Sequence, residues 1–291
     1  MKKSFFKYLF ALFLFGSNGI VANNISLTSY QIVFMRTGIG STLLLGLFFL
    51  RHRDRTFIRN KKDLTFVTLS GIAMGISWIY LYEAYSQIGV SIASLLYYCG
   101  PVIVMILSPF LFKEKLTISK VLGFIIVLIG ILFINTNTVT GNIKLYGLVC
   151  GSISAIMYSL MVILNKFSKK ITGLENSMVQ LFVSFLTVTV FTGIKSGYVL
   201  HINHNEWIWI LMLGLLNTGI GCYFYFSSIG NLPVQTIAIL GYLEPLSAVV
   251  LSVLILKETL LPMQMIGVIF IIGGAVIGEN MNIPIRKYTK E

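Results

Sequence analysis

Residues 98–114, YCGPVIVMILSPFLFKE, return as residues 242–258, YLEPLSAVVLSVLILKE. At this offset of 144, Tyr98, Pro101, Lys113 and Glu114 recur as Tyr242, Pro245, Lys257 and Glu258. The register continues downstream: Leu116 matches Leu260, Gly123 matches Gly267, and Gly130 matches Gly274. Upstream, Ser86-Gln-Ile-Gly89 resembles Ser227-Ser-Ile-Gly230 at an offset of 141, and the three-residue difference falls in Asn231-Leu-Pro-Val-Gln235. Each copy is an apolar run with a proline inside and a Lys-Glu pair at its end. A membrane-crossing helix needs about 20 mainly apolar residues, so each copy reads as one span. The match makes the chain a duplicated unit.

Working outward, ten apolar runs are candidate spans: Phe5–Asn23, Thr28–Leu50, Leu64–Ala84, Ser91–Phe112, Ile118–Ile134, Leu145–Leu164, Ser177–Thr192, Trp207–Ser227, Gln235–Leu256 and Pro262–Gly278. Lipid offers no hydrogen bonds to the backbone, so runs of this length are helices. The expected fold class is an all-α integral membrane protein, ten transmembrane helices arranged as two inverted five-helix repeats. Five is odd, so two copies in one chain lie upside down relative to each other. Inverted repeats serve alternating access, with substrate bound near the midplane. The first run also fits a signal peptide. The lack of a small-x-small cleavage site and the nine runs behind it favour an uncleaved helix.

Composition agrees. Of 291 residues, 56% are apolar and 11% charged, against about 25% charged in a soluble domain. This excludes disorder, a collagen-like fibre and an ordinary cytosolic enzyme. The net charge of +12 is unevenly placed. With the N-terminus inside, 18 of the 22 Lys and Arg residues fall on the inner side, six of them within Arg51–Lys62. Lys144, Lys195 and Lys257 fall outside, and Arg36 alone lies within a span. This positive-inside bias predicts a multi-pass protein of the cytoplasmic membrane with both termini cytoplasmic. The cluster at Arg51–Lys62 also suits anionic headgroups. No nucleic-acid module is present. Three cysteines in apolar runs, Cys99, Cys150 and Cys222, are expected to be free thiols.

The repeated Pro, Lys-Glu-x-Leu and Gly-x6-Gly pattern, with Phe15-Gly-Ser-Asn18 and Arg36 in the first half and Tyr242-Leu-Glu-Pro245 in the second, resembles the EamA-type transporters of the drug/metabolite transporter superfamily. The resemblance covers nearly the whole chain. It implies a first repeat over 1–144, a second over 145–291, and a central cavity lined mainly by spans 1, 3, 4, 6, 8 and 9. Members mostly export amino acids, metabolites or toxic compounds, and some import. Gly100 stands where the other copy has Glu244, so the site is expected to be asymmetric.

Ionisable groups within lipid are costly, and usually buried and functional. Glu244 is a proton carrier, a partner for a substrate ammonium, or a structural acid beside the Pro245 kink. Arg36 receives a carboxylate, or locks helices through Glu83 or backbone carbonyls. Glu83 guides cations or sits at the wet interface. Tyr98 and Tyr242 are repeat mates expected to face each other. Tyr82 and Tyr223 are further aromatic candidates, since aromatic faces attract cations and stack on flat ligands. Asn18 and Asn217 bond substrate or neighbouring helices. These nine residues form the candidate substrate-binding set. His52, His201 and His204 fall in loops without a completing cluster, so no metal or catalytic site is expected. No nucleotide motif appears, and no cofactor is expected. The sequence reads as a secondary transporter of a small organic solute, either an amino-acid-like metabolite or an amphipathic cation. Export is expected, driven by proton exchange or by the substrate gradient, in a monomer or homodimer embedded among membrane lipids. An importer of the same solute class, a membrane-embedded lipid-modifying enzyme and a non-transporting scaffold are the rivals.

Overall fold

The computed structural model describes residues 2–51, 55–134, 144–195, 197–198, 200–257 and 261–280. Every regular element among them is helical. The main helices are α1 (Lys2–Ala22), α2 (Ser29–Arg51), α3 (Lys61–Ile88), α4 (Ile92–Phe112), α5 (Ile118–Phe133), α6 (Leu145–Phe167), α7 (Gly173–Lys195), α8 (His204–Ile229), α9 (Val234–Ile255) and α10 (Pro262–Gly278). Eight of them are long and apolar enough to cross a membrane, while α5 and α10 are shorter apolar helices. His52, Arg53, Asp54, Glu258, Leu260 and the basic tail Arg286, Lys287 and Lys290 lie outside the described residues, as does the side chain of Glu279.

The repeated prolines shape α4 and α9. Pro101 has no N–H for the Tyr97 carbonyl, and Pro245 has none for that of Gly241. The helical ladder accordingly breaks at Tyr98 and again at its mate Tyr242. Pro109 lies inside α4 without a break, because Ser108 Oγ donates to the freed Met105 carbonyl at 3.0 Å. Past their ends, Lys113 and Lys257 both adopt the left-handed backbone, with φ of 55° and 56°. Non-glycine residues seldom adopt it, so the two copies share a local conformation as well as a sequence.

Glycine sets the closest helix contacts. A Cβ on Gly130 would stand 2.8 Å from the Gly267 carbonyl oxygen, and one on Gly123 would strike the Gly274 carbonyl. Gly123 and Gly267 are mates in the repeat, as are Gly130 and Gly274. The crossing is therefore reciprocal, and α5 and α10 pack antiparallel over it. Helix α3 packs against α7 through Gly71 and Gly75, where an added Cβ would meet the Gln180 carbonyl oxygen at 2.8 Å and that of Ser184 at 3.0 Å. Serines tie α3 to α6: Ser77 and Ser154 each donate to the other's carbonyl, and Ser70 donates to that of Met161 at 2.7 Å.

Helices run past the apolar windows. Helix α3 starts at Lys61 rather than Leu64, and α7 covers Gly173–Lys195 rather than 177–192. Hydropathy marks what lipid tolerates, whereas helices extend until their end groups find partners. At the end where α4, α6 and α8 finish, Asp63 accepts the Lys169 and Lys170 N–H groups, at 2.8 and 2.6 Å. There Glu114 accepts the Val234 and Gln235 N–H groups at the start of α9, at 2.7 and 3.1 Å. Lys166 Nζ donates to the Ile229, Gly230 and Leu232 carbonyls at the end of α8. This basic end is closed by charge-assisted bonds.

Candidate functional site

A cavity of about 590 Å³ lies between the helices. It reaches the exposed residues Gly19 and Asn23 at the end opposite the basic one. Its inner walls include Tyr158 and Tyr225, whose hydroxyls lie 3.3 Å apart. Behind them Tyr8 is fully buried and donates to the Ile237 carbonyl at 2.9 Å. The space is thus open toward one end and plugged by tyrosines toward the other.

Arg36, on α2, is 3% exposed and lines this cavity. Its Nε donates to Thr218 Oγ1 at 2.9 Å and its Nη1 to the Tyr82 hydroxyl at 3.2 Å. The guanidinium lies over the Trp78 ring, 4.6 Å from its centroid, a cation–π arrangement. Neither bond goes to Glu83, so the expected lock through that residue is not formed. Thr218 in turn donates to the Leu213 carbonyl at 2.8 Å, five residues back. That spacing reflects the π-helical stretch Met212–Ile220 within α8. Such insertions are rare and often mark functional sites. Here the wider turn carries the hydroxyl that receives Arg36.

Glu244 lines the same cavity just past the α9 break. No described residue hydrogen-bonds its carboxylate, whereas its backbone carbonyl accepts from Ser247. One cation held by neutral partners and one unbonded carboxylate thus share one space. Asn18, Tyr82 and Tyr98 also line it, the last beside Ser94 on one face of α4.

Four of the nine candidates are not brought to the cavity. Glu83 follows Tyr82 and points about 100° around the helix; it accepts hydrogen bonds from the Tyr30 hydroxyl and from Gln87 Nε2. Tyr223 lies next to Cys222, which does line the cavity, and faces away under Lys7, whose Nζ is 5.2 Å from the ring centroid. Asn217 is fully buried and donates to the Leu14 carbonyl, Ser17 Oγ and Asn18 Oδ1 where α1 breaks at Ser17. Tyr242 meets Tyr98 as expected, with ring centroids 6.2 Å apart. It does so from behind: it is fully buried, and its hydroxyl donates to the Tyr98 carbonyl at 2.7 Å. Gln180 joins a buried amide cluster with Asn165 and Asn176.

The sequence reading missed Trp78, Phe15 and Tyr158 as lining residues. Trp78 had a signal. Met74, Trp78, Leu81, Tyr82 and Tyr85 recur at helical spacing and all line the cavity. Tyr158 sits in the apolar helix α6, and nothing in its spacing sets it apart. Cys99, Cys150 and Cys222 are free thiols. Among the described residues no cluster of His, Cys, Asp or Glu suits a metal ion.

A Bacillus subtilis protein described as the uncharacterized transporter YxxF is 26% identical over 93% of this chain and 88% of its own. An uncharacterized transporter of Clostridium kluyveri is 26% identical over 97% and 94%. One solved crystal structure superposes with a TM-score of 0.79 at 16% identity, covering 94% of this chain and 97% of its own, which shows a shared fold. The model of the EamA-like transporter family matches twice, over residues 3–136 and 145–277. The chain is a multi-pass membrane protein and belongs to the EamA-like transporter family.

Proposed function

We propose that this chain is a secondary transporter that carries an amino-acid-like zwitterion across the cytoplasmic membrane by alternating access, in the export direction. The observation that carries the reading is the pairing of Arg36 with an unbonded Glu244 in one aromatic-lined cavity. A substrate carboxylate suits the guanidinium, and a substrate ammonium suits Glu244. An amphipathic cation would use Glu244 and the tyrosines but has no use for Arg36. The volume, about 590 Å³, lies in the usual range of roughly 300–1,000 Å³ for small-molecule sites.

In this reading the ten helices form two inverted halves, 1–144 and 145–291, with both termini cytoplasmic. The reciprocal glycine crossing of α5 and α10 and the shared conformation of Lys113 and Lys257 support the symmetry. The cavity faces outward, and rocking of the halves moves the opening to the basic end. Proton exchange at Glu244, or the substrate gradient alone, drives the cycle.

Uptake and efflux in proteoliposomes with an imposed pH gradient test the proposal. Flux of a zwitterionic amino acid is expected, stimulated by the gradient, and Glu244→Gln is expected to abolish the stimulation. Unchanged pH-driven flux in that variant would refute the coupling role. No flux and no thermal stabilisation by any of a panel of metabolites would refute transport itself.

A further inference from the structure

A second cavity, of about 560 Å³, lies along α2 from Phe34 to Leu50, walled by Phe185 of α7 and Leu215 of α8. It is separate from the substrate cavity and shares no lining residue with it. Gly38, Thr42 and Gly46, one helical turn apart, form its floor. A Cβ added at Gly46 would meet nothing within 4 Å. The Thr42 hydroxyl donates to the Gly38 carbonyl at 2.8 Å, so the floor spends its one hydroxyl internally. The remaining lining side chains are aliphatic, aromatic or thioether. Nothing here recognises a polar solute, and the complementary occupant is hydrocarbon. The sixteen helical rises from Phe34 to Leu50 measure about 24 Å. That exceeds the depth of one leaflet, half of a hydrocarbon layer about 30 Å thick.

The groove ends at cations. Arg51 is exposed and lies one turn beyond Leu47, a lining residue. Exposed Arg55 holds its guanidinium 5.7 Å from the centroid of Phe49, next to Leu50. Arg59, Lys61 and Lys62 follow, all exposed. The described carboxylates nearby are engaged elsewhere: Asp63 with the Lys169 and Lys170 N–H groups, and Glu175 with that of Phe57. A long apolar groove that opens onto a basic patch matches one molecule in both its parts.

We propose that this groove binds an anionic phospholipid, one acyl chain lying along α2 over Gly46 and the headgroup phosphate held by Arg51 and Arg55. Polybasic segments at a membrane surface favour anionic lipid in this way. The headgroup lies in the leaflet at the basic end, and the site does not depend on the transported solute.

Native mass spectrometry of the full chain, with phosphatidylglycerol or phosphatidylcholine of the same acyl composition, tests it. The wild type is expected to retain phosphatidylglycerol over phosphatidylcholine by on the order of tenfold. Gly46→Phe fills the groove and is expected to lower phosphatidylglycerol binding at least about tenfold with the melting temperature retained. Thr42→Phe on the same floor serves if Gly46→Phe fails to fold. The double variant Arg51→Gln, Arg55→Gln is expected to bind both lipids equally. Wild-type lipid retention by the groove-filled variant, or equal retention of the two lipids by the wild type, would overturn the proposal. So would a wild-type dimer that Gly46→Phe splits, which would assign the groove to a second copy of the chain.

Discussion

Substitution of Glu114 by Gln isolates the bonds that close the basic end. The first amides of a helix have no partner within it, and in α9 those of Val234 and Gln235 both donate to the Glu114 carboxylate, at 2.7 and 3.1 Å. A hydrogen bond to a charged group contributes about 1.5–3 kcal/mol and a neutral one about 0.5–1.5 kcal/mol. A glutamine offers one neutral oxygen, which serves one amide and leaves the other bare. Two charged bonds thus give way to one neutral bond, a difference of about 2–5 kcal/mol, or at least roughly 30-fold in local opening. Residue-resolved hydrogen exchange reads it directly. Val234 and Gln235 are expected to exchange faster by that factor. Ile237 donates to the Pro233 carbonyl at 3.1 Å and is expected to change little. If Val234 and Gln235 keep wild-type protection, Glu114 does not hold the start of α9. A uniform acceleration along α9 would also refute the reasoning, since it would report unfolding of the helix rather than release of its end.

Thr218→Val removes the acceptor that positions Arg36, and transport of a carboxylate-bearing substrate is expected to show a KM raised by about tenfold, with Thr218→Ser restoring it. Asn217→Leu removes the amide that donates to the Leu14 carbonyl, Ser17 Oγ and Asn18 Oδ1 at the break in α1; Ser17 still holds the Leu14 carbonyl, so a loss of about 0.5–1.5 kcal/mol is expected, seen as a lower melting temperature of the purified protein. Gly123→Ala drives a methyl into the Gly274 carbonyl and is expected to cost about 1–3 kcal/mol by overpacking, with Gly274→Ala giving a similar loss because the crossing is reciprocal.

The apolar runs, the two prolines and the self-match at 144 residues were enough to anticipate the helices, the breaks near Pro101 and Pro245, and the kinship of the two halves. These follow from local chemistry: lipid demands helices, and proline removes one backbone donor at a known place. That one arginine and one glutamate within the spans stand apart was also legible, because charge in lipid is rare and costly, and both line the cavity. What faces what was not. Tyr82 and Glu83 are neighbours in the chain, yet one lines the cavity and the other bonds Tyr30, since a single residue turns about 100° around the helix. Tyr98 and Tyr242 are mates in the repeat, yet one faces the cavity and the other lies behind it with its hydroxyl on the Tyr98 carbonyl. One of the two acceptors of Arg36, Thr218, sits 182 residues away, on a π-helical turn that no residue pattern announces. Composition and periodicity determine which segments become helices. Their rotation and partners arise from packing between segments far apart in the chain, and only the tertiary structure decides them.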